Sequence, residues 1–314
     1  MKVLVIGAAG FVGRALIARL AATPGIESLT LVDQQDFASP AGSSVAIVKR
    51  IGDFGEHKFC QSILADVQAV VVLAAVLGGA AEANYNRARR TNVDAMLSLF
   101  EALRSSAQPP RVVFASTIAV YGAPLPELID DATPAHPTLI YGAQKLMLEV
   151  ALEHFTRRQW LDGIALRLPG IVARPGADAQ LKSAYLNQIF YAVRDGTDIE
   201  LPVSREATTW LMSLAKVAEN LVHALKVPRA DLGDTCALNL PCLRANMGEI
   251  VDALGRHYPQ SRARIGYRPD PAIEAQFGRY PPLMAARAGQ LGFTADESLD
   301  ALIRGALPAT PPGP

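Results

Sequence analysis

Apolar residues arrive along the first half of the chain in short, β-branched runs with little polar alternation. Residues 2–6, 28–32, 44–48, 69–73, 111–115 and 164–168 read as strands buried on both faces, since a strand with one wet face would alternate. Between them lie longer stretches of helical length, at 13–22, 84–105 and 141–158. Strand–helix alternation of this kind predicts an α/β fold, a doubly wound parallel sheet with helices on both faces and right-handed crossovers. After residue 168 the rhythm breaks at Pro169-Gly170-Ile171-Val172-Ala173-Arg174-Pro175-Gly176, and the later elements are mixed. The pattern therefore predicts a large domain over 1–168, with 206–241 returning to it through a helix at 213–225 and a strand at 237–240. Residues 169–205 and 242–314 are expected to form a smaller, discontinuous α/β lobe. The proline-rich stretch 307–314 is expected to be disordered.

Composition narrows the function classes. Half of the 314 residues are apolar and 19% are charged, which suits a packed globular protein. Thirty basic residues balance thirty acidic ones, so no net field favours nucleic acid or an anionic membrane as partner. Cys60, Cys236 and Cys242 are too few and too scattered for a disulfide framework or a zinc site, and no metal is expected. The first apolar run ends at a glycine turn with no cleavage site behind it, and the run at 69–81 is too short to span a bilayer. A soluble protein of the reducing cytoplasm is expected.

The turn after the first strand reads Gly7-Ala8-Ala9-Gly10-Phe11-Val12-Gly13. Glycines at Gly7, Gly10 and Gly13 permit a tight turn, close backbone approach to a pyrophosphate and close packing of helix on strand. The helix that follows offers unpaired N–H groups to phosphate. Asp33 ends the second strand, twenty residues after Gly13, where a carboxylate can accept both hydrogens of an adenosine-ribose diol. It would repel a 2′-phosphate, and Gln34-Gln35 supplies no arginine, so NAD is favoured over NADP. The large domain is thus expected to be an NAD-binding Rossmann domain. Asp53 and Phe54 follow the third strand as candidates for the adenine. Leu73, Ala74 and Ala75 close the fourth, where small residues let backbone approach the cofactor.

Tyr141 and Lys145 are four residues apart, so a helix projects both from one face. A phenol is a poor base at neutral pH, and an ammonium a few ångströms away favours its ionised form. Tyr141 can then take a proton from a substrate hydroxyl while hydride leaves the same carbon for the nicotinamide. Lys145 can also hold the nicotinamide ribose. The end of the fifth strand supplies a hydroxyl from Ser116 or Thr117, which point to opposite faces; one should meet substrate and the other cofactor or core. Periodicity does not choose between them.

These residues resemble the extended short-chain dehydrogenase/reductases, the group that includes nucleotide-sugar epimerases and dehydratases. The likeness runs through the Gly7–Gly13 turn, Gly52-Asp53, Leu73-Ala74-Ala75, Thr91-Asn92-Val93, the segment 114–122, Tyr141 to Lys145 and Leu166-Arg167-Leu168-Pro169. It implies that Thr117 carries the catalytic hydroxyl, that Asn92 kinks its helix and supports the site, and that Pro169, Gly170 and Ile171 touch the nicotinamide amide. Further segments, among them Ala173-Arg174-Pro175-Gly176 and Trp210-Leu211-Met212-Ser213, resemble a subgroup that uses NAD to oxidise the C2 hydroxyl of a four-carbon sugar acid. Such a substrate needs a cation for its carboxylate. Arg174 is the first candidate, with Ser183, Tyr185 and Trp210 as possible pocket residues. The resemblance also implies a homodimer, through a bundle containing the helices at 84–105 and 141–158. The alternatives are a nucleotide-sugar 4-epimerase with tightly held NAD, and a non-catalytic dinucleotide sensor; an intact Thr117, Tyr141 and Lys145 argues against the sensor.

Overall fold

The computed structural model describes residues 1–38, 43–176, 182–233 and 236–307. The expected disordered tail, from 308, lies outside the described residues. Seven parallel strands form the main sheet: β1 (Lys2–Ile6), β2 (Ser28–Asp33), β3 (Ala46–Ile51), β4 (Ala69–Val72), β5 (Arg111–Thr117), β6 (Asp162–Leu168) and a late strand, Ala237–Asn239. The late strand runs parallel to β6 at one edge, and the spatial order from there is β6-β5-β4-β1-β2-β3. Strand progression thus reverses between β1 and β4, and in open α/β sheets ligands bind outside the carboxyl ends of the strands at such a point.

The strand bounds follow from burial. Four of the five β1 residues are buried, and all of β4, so their runs are uniformly apolar. β3 is the exception. The expected strand at 44–48 lies at 46–51, because β3 is the sheet edge and is fixed by pairing with β2 from Ala46↔Ser28 to Ile51↔Asp33. Five of its six residues are exposed, so hydrophobicity does not set its limits.

Helix α1 (Phe11–Ala21) follows β1. The helix expected over 84–105 is broken into three: α2 (Tyr85–Arg89), a π-turn (Arg90–Asp94) and α3 (Ala95–Leu103). Asn84 caps α2 by accepting from the Arg87 N–H at 3.0 Å. Helix α4 (Ile140–Arg157) packs on β5 and β6. Leu4, Ile6, Phe100, Phe114, Leu148 and Leu152 belong to one buried core between sheet and helices. Burying each such side chain contributes about 1.5–3 kcal/mol.

The chain divides into two compact units. The first holds Met1–Gly122, Pro134–Leu168 and Ala218–Asn239; the second holds Ala123–Thr133, Pro169–Val217 and Leu240 onward. Residues 206–217, expected in the large domain, therefore fall in the second unit. Their strand, Thr208–Ser213, runs parallel to Gly170–Val172 and antiparallel to Leu243–Asn246 in a separate three-stranded sheet. Buried Trp210, Leu211 and Met212 make that strand as apolar as those of the main sheet, so composition does not tell which sheet it joins. Among the described residues no helix is long and apolar enough to cross a membrane.

Candidate active site

The glycine turn lies at the switch point, in the first unit. Gly7 has φ +93°, and a Cβ there would stand 2.6 Å from the Ala74 amide nitrogen. The Leu73–Ala75 segment is thus pressed against the turn, and both the Leu73 and Ala74 N–H groups donate to the Ile6 carbonyl. A Cβ on Gly13 would overlap the Gly7 carbonyl, so this glycine lets α1 sit directly on β1. Gly10 differs: a Cβ would meet only the Gly7 carbonyl, at 3.2 Å. It is the N-cap of α1 with no side-chain cap, and Phe11 and Val12 begin a first turn that carries no acidic residue. Backbone donors with an open approach suit a pyrophosphate. Asp33 accepts the Ala9 N–H at 2.9 Å and the Gln35 N–H at 3.0 Å, which fixes its carboxylate at the mouth of the same turn. These features fit a dinucleotide.

Four residues expected at the cofactor, Phe54, Asp53, Asn92 and Ser116, make contacts within the protein. The Phe54 ring is 4% exposed and packs in the core of the first unit, so it has no free face for adenine. Asp53 beside it accepts the Gly55 N–H at 2.8 Å in a turn. Asn92 is 2% exposed, and its amide is consumed by protein: it accepts from Val76 N–H at 2.7 Å and donates to the Val76 carbonyl at 2.9 Å and to Gln144 Oε1 at 2.8 Å. It ties the loop after β4 to α4 from inside the π-turn, a supporting position and not a cofactor contact. Ser116 is buried and donates to Glu149, which commits its hydroxyl to the protein interior, whereas Thr117 makes no such contact with Glu149.

Around Thr117 the local packing is tight. Its hydroxyl accepts the Ala119 N–H at 3.1 Å and starts a 3₁₀ turn at Ile118–Val120. The Ala119 carbonyl in turn faces Gly142, where any Cβ would overlap it. Helix α4 therefore begins flush against the turn that carries Thr117, with Tyr141 in its first turn. Tyr141 packs on a small cluster of Val76, Ala81 and Ala88, and the Glu82 carboxylate accepts the Ile140 N–H at 2.7 Å. One turn on, Lys145 is 2% exposed; its Nζ donates to the Ala115 carbonyl at 2.6 Å, lies 4.4 Å from the Phe114 ring centroid and 5.7 Å from that of Tyr141.

The electrostatics differ from the simple expectation of an ammonium ionising a phenol. Burial drives Tyr141 above its ordinary value of 10, with no opposing charge strong enough to bring it down. Burial also lowers Lys145 from 10.5 to about 7, against the pull of the Glu149 carboxylate in the opposite direction. Desolvation dominates both groups in the chain by itself.

In the second unit, Pro169 precedes the strand Gly170–Val172, where Gly170 and Ile171 pair with Leu211 and Met212. Arg174 is exposed; its N–H donates to Asn187 Oδ1 at 2.8 Å, and it lines an open cleft of about 410 Å³ with Gln188, Tyr191, Asp195 and Asp198. Ser183 lies in the turn leading into the helix Tyr185–Asp195. Tyr185 and Trp210 are core: Tyr185 donates to the Phe277 carbonyl at 3.1 Å, and Trp210 to the Pro281 carbonyl at 2.7 Å. Gly142 and Arg167 lie in segments that carry the resemblance but have no role of their own there, and Glu149 is not among them. A charge inside the apolar run Ile164-Ala165-Leu166-Arg167-Leu168 was a visible signal, since a buried arginine needs a partner.

A glycine turn at the switch point, with backbone donors that suit a pyrophosphate, ahead of a helix carrying Tyr141 and the buried Lys145, fits an NAD-dependent α/β oxidoreductase. Residues 3–234 match the NAD dependent epimerase/dehydratase family, and the chain belongs to that family. Two relatives are named D-erythronate dehydrogenase. The protein from Cupriavidus necator is 35% identical over 97% of both chains, and that from Haemophilus influenzae is 29% identical over 97% of this chain and 98% of its own. Among solved structures, a nucleoside-diphosphate-sugar epimerase from Agrobacterium tumefaciens superposes with a TM-score of 0.90 at 33% identity, covering 97% of this chain and 92% of its own.

Proposed function

We propose that the protein is an NAD-dependent dehydrogenase that oxidises the C2 hydroxyl of a small sugar acid of the D-erythronate type to the 2-keto acid. The observation that carries this reading is the end-to-end likeness to an enzyme of that name, over 97% of both chains. Gly7, Gly10, Phe11, Val12, Gly13, Asp33 and the Leu73–Ala75 backbone would hold NAD, which when bound supplies the hydride acceptor. The chain's own residues do the rest. Thr117 positions the substrate hydroxyl, Lys145 stabilises Tyr141 as the phenolate, and that phenolate takes the hydroxyl proton and becomes the phenol as hydride leaves the same carbon. Arg174 is the proposed partner of the substrate carboxylate.

The structural match to a protein named as an epimerase supports a second reading, in which a nucleotide sugar is oxidised and re-reduced at C4 on one molecule of NAD. Absorbance at 340 nm separates them. With D-erythronate and other four-carbon aldonates, the dehydrogenase reading predicts continuous NADH formation, and Arg174→Ala raises the acid's KM. Sugar inversion on a UDP-sugar, with no accumulating NADH from any aldonate, would replace this reading by the second.

A further inference from the structure

Behind Lys145 lies a buried charged cluster to which the proposed reaction assigns no role. Glu149, one helical turn beyond Lys145, is 4% exposed. Its carboxylate accepts from the Ser116 hydroxyl, from Arg167 Nε at 3.1 and 3.2 Å and from Arg167 Nη2 at 2.8 Å. Arg167 Nη1 donates to the Tyr121 hydroxyl at 2.8 Å, and Tyr121 donates to Asn239 Oδ1 at 2.9 Å. Ser116 and Arg167 are register partners on β5 and β6, so Glu149 pins α4 to both strands. The last three residues of β5 then each anchor a neighbouring element: the Ala115 carbonyl accepts from Lys145, Ser116 donates to Glu149, and the Thr117 hydroxyl accepts the Ala119 N–H of the following turn.

We propose that Glu149 is a positioning residue: its carboxylate, locked to Ser116 and Arg167, keeps the Lys145 ammonium charged and in register with Thr117 and Tyr141. This rests on the dehydrogenase reading given above. The other groups facing Lys145 do not substitute for it. Tyr141, on the same helix, is neutral as a phenol, and β5 offers only the Ala115 carbonyl and the Phe114 ring. Asn92 and Gln144, which hydrogen-bond to each other between the π-turn and α4, are uncharged amides. Arg167 and Tyr121 stand behind the carboxylate and are, respectively, cationic and neutral. Among the described residues, Glu149 is the one group whose charge opposes the desolvation that strips Lys145 of its proton.

The test reads Lys145 directly. The chain has only seven lysines, so selective labelling with [13Cε]lysine gives a resolvable titration, assigned by the signal missing in Lys145→Met. The wild-type midpoint is expected at about 7. In Glu149→Gln the midpoint should fall by about one pH unit or more, and the alkaline limb of the kcat/KM profile, where the ammonium is lost, should move down by a similar amount. Glu149→Asp, which keeps the charge, should restore both towards wild type. Glu149→Gln leaves Arg167 unpaired, so Glu149→Met/Arg167→Met is the folding control; it removes both charges together and should still lower the Lys145 midpoint. An unmoved midpoint and pH profile in these variants, with activity merely scaled down, overturns the proposal. If wild type forms no NADH yet the midpoint falls when Glu149 is removed, the electrostatic role stands and the reaction reading alone fails. If NADH forms and is lost in Tyr141→Phe while the Glu149 variants leave the midpoint in place, only the role of Glu149 fails.

Discussion

At the scale of single residues, the protein keeps a lysine where water cannot reach it. Lys145 has a folded value of about 7 against an ordinary 10.5, so between these pH values the unfolded chain binds the extra proton. Stability at this group therefore rises with pH across that window, and the cost is fully present below it. Lys145→Met removes the charge but leaves the Ala115 carbonyl without its donor. We expect a melting temperature about 2–5 °C above wild type at pH 7, with the gain gone by pH 10. A loss at pH 7, or a gain that grows with pH, would contradict this placement of the charge. Asp33 allows a separate residue-level test. Asp33→Asn keeps an acceptor for the Ala9 N–H and removes the charge that we propose faces the ribose, so the kcat/KM preference for NAD over NADP should fall by about tenfold or more. An unchanged preference would remove Asp33 from cofactor selection.

At the scale of elements, the close approach of α4 to the 3₁₀ turn after β5 sets where Tyr141 stands relative to Thr117. Gly142 permits that approach, since a methyl there would run into the Ala119 carbonyl. Gly142→Ala should cost about 1–3 kcal/mol in urea unfolding and lower kcat by more than the stability loss explains. A variant with wild-type kcat would show that the helix start can move without consequence. Much of this level was legible in the sequence. The bounds of β1 and β4 follow from their buried apolar runs, and the strand-end placement of Asp33 and Thr117 follows from the corresponding runs of β2 and β5. The π-turn was not legible, because it depends on Asn92 reaching Val76 and, 52 positions away, Gln144. Phe54 looked free beside Asp53 because sequence does not say which side of a turn faces the core. Ser116 and Thr117 were separable only once Glu149 was seen to claim the first.

At the scale of the whole molecule, parallel-sheet topology concentrates the candidate chemistry of the first unit at the carboxyl ends of β1, β2, β4 and β5, and the alternation of runs announced that topology. The edge strand and the allocation of 206–217 escaped prediction for one reason: pairing partners, not hydrophobicity, decide them. The central claim is that Tyr141 is the base of a net NAD-linked oxidation. NADH formation from D-erythronate, measured over pH 6–10 in wild type and Tyr141→Phe, addresses it most directly. Wild type should turn over, with a kcat about 10²–10⁴-fold lower in Tyr141→Phe and NAD affinity retained. Wild-type turnover in Tyr141→Phe, with an unaltered pH profile, would contradict it.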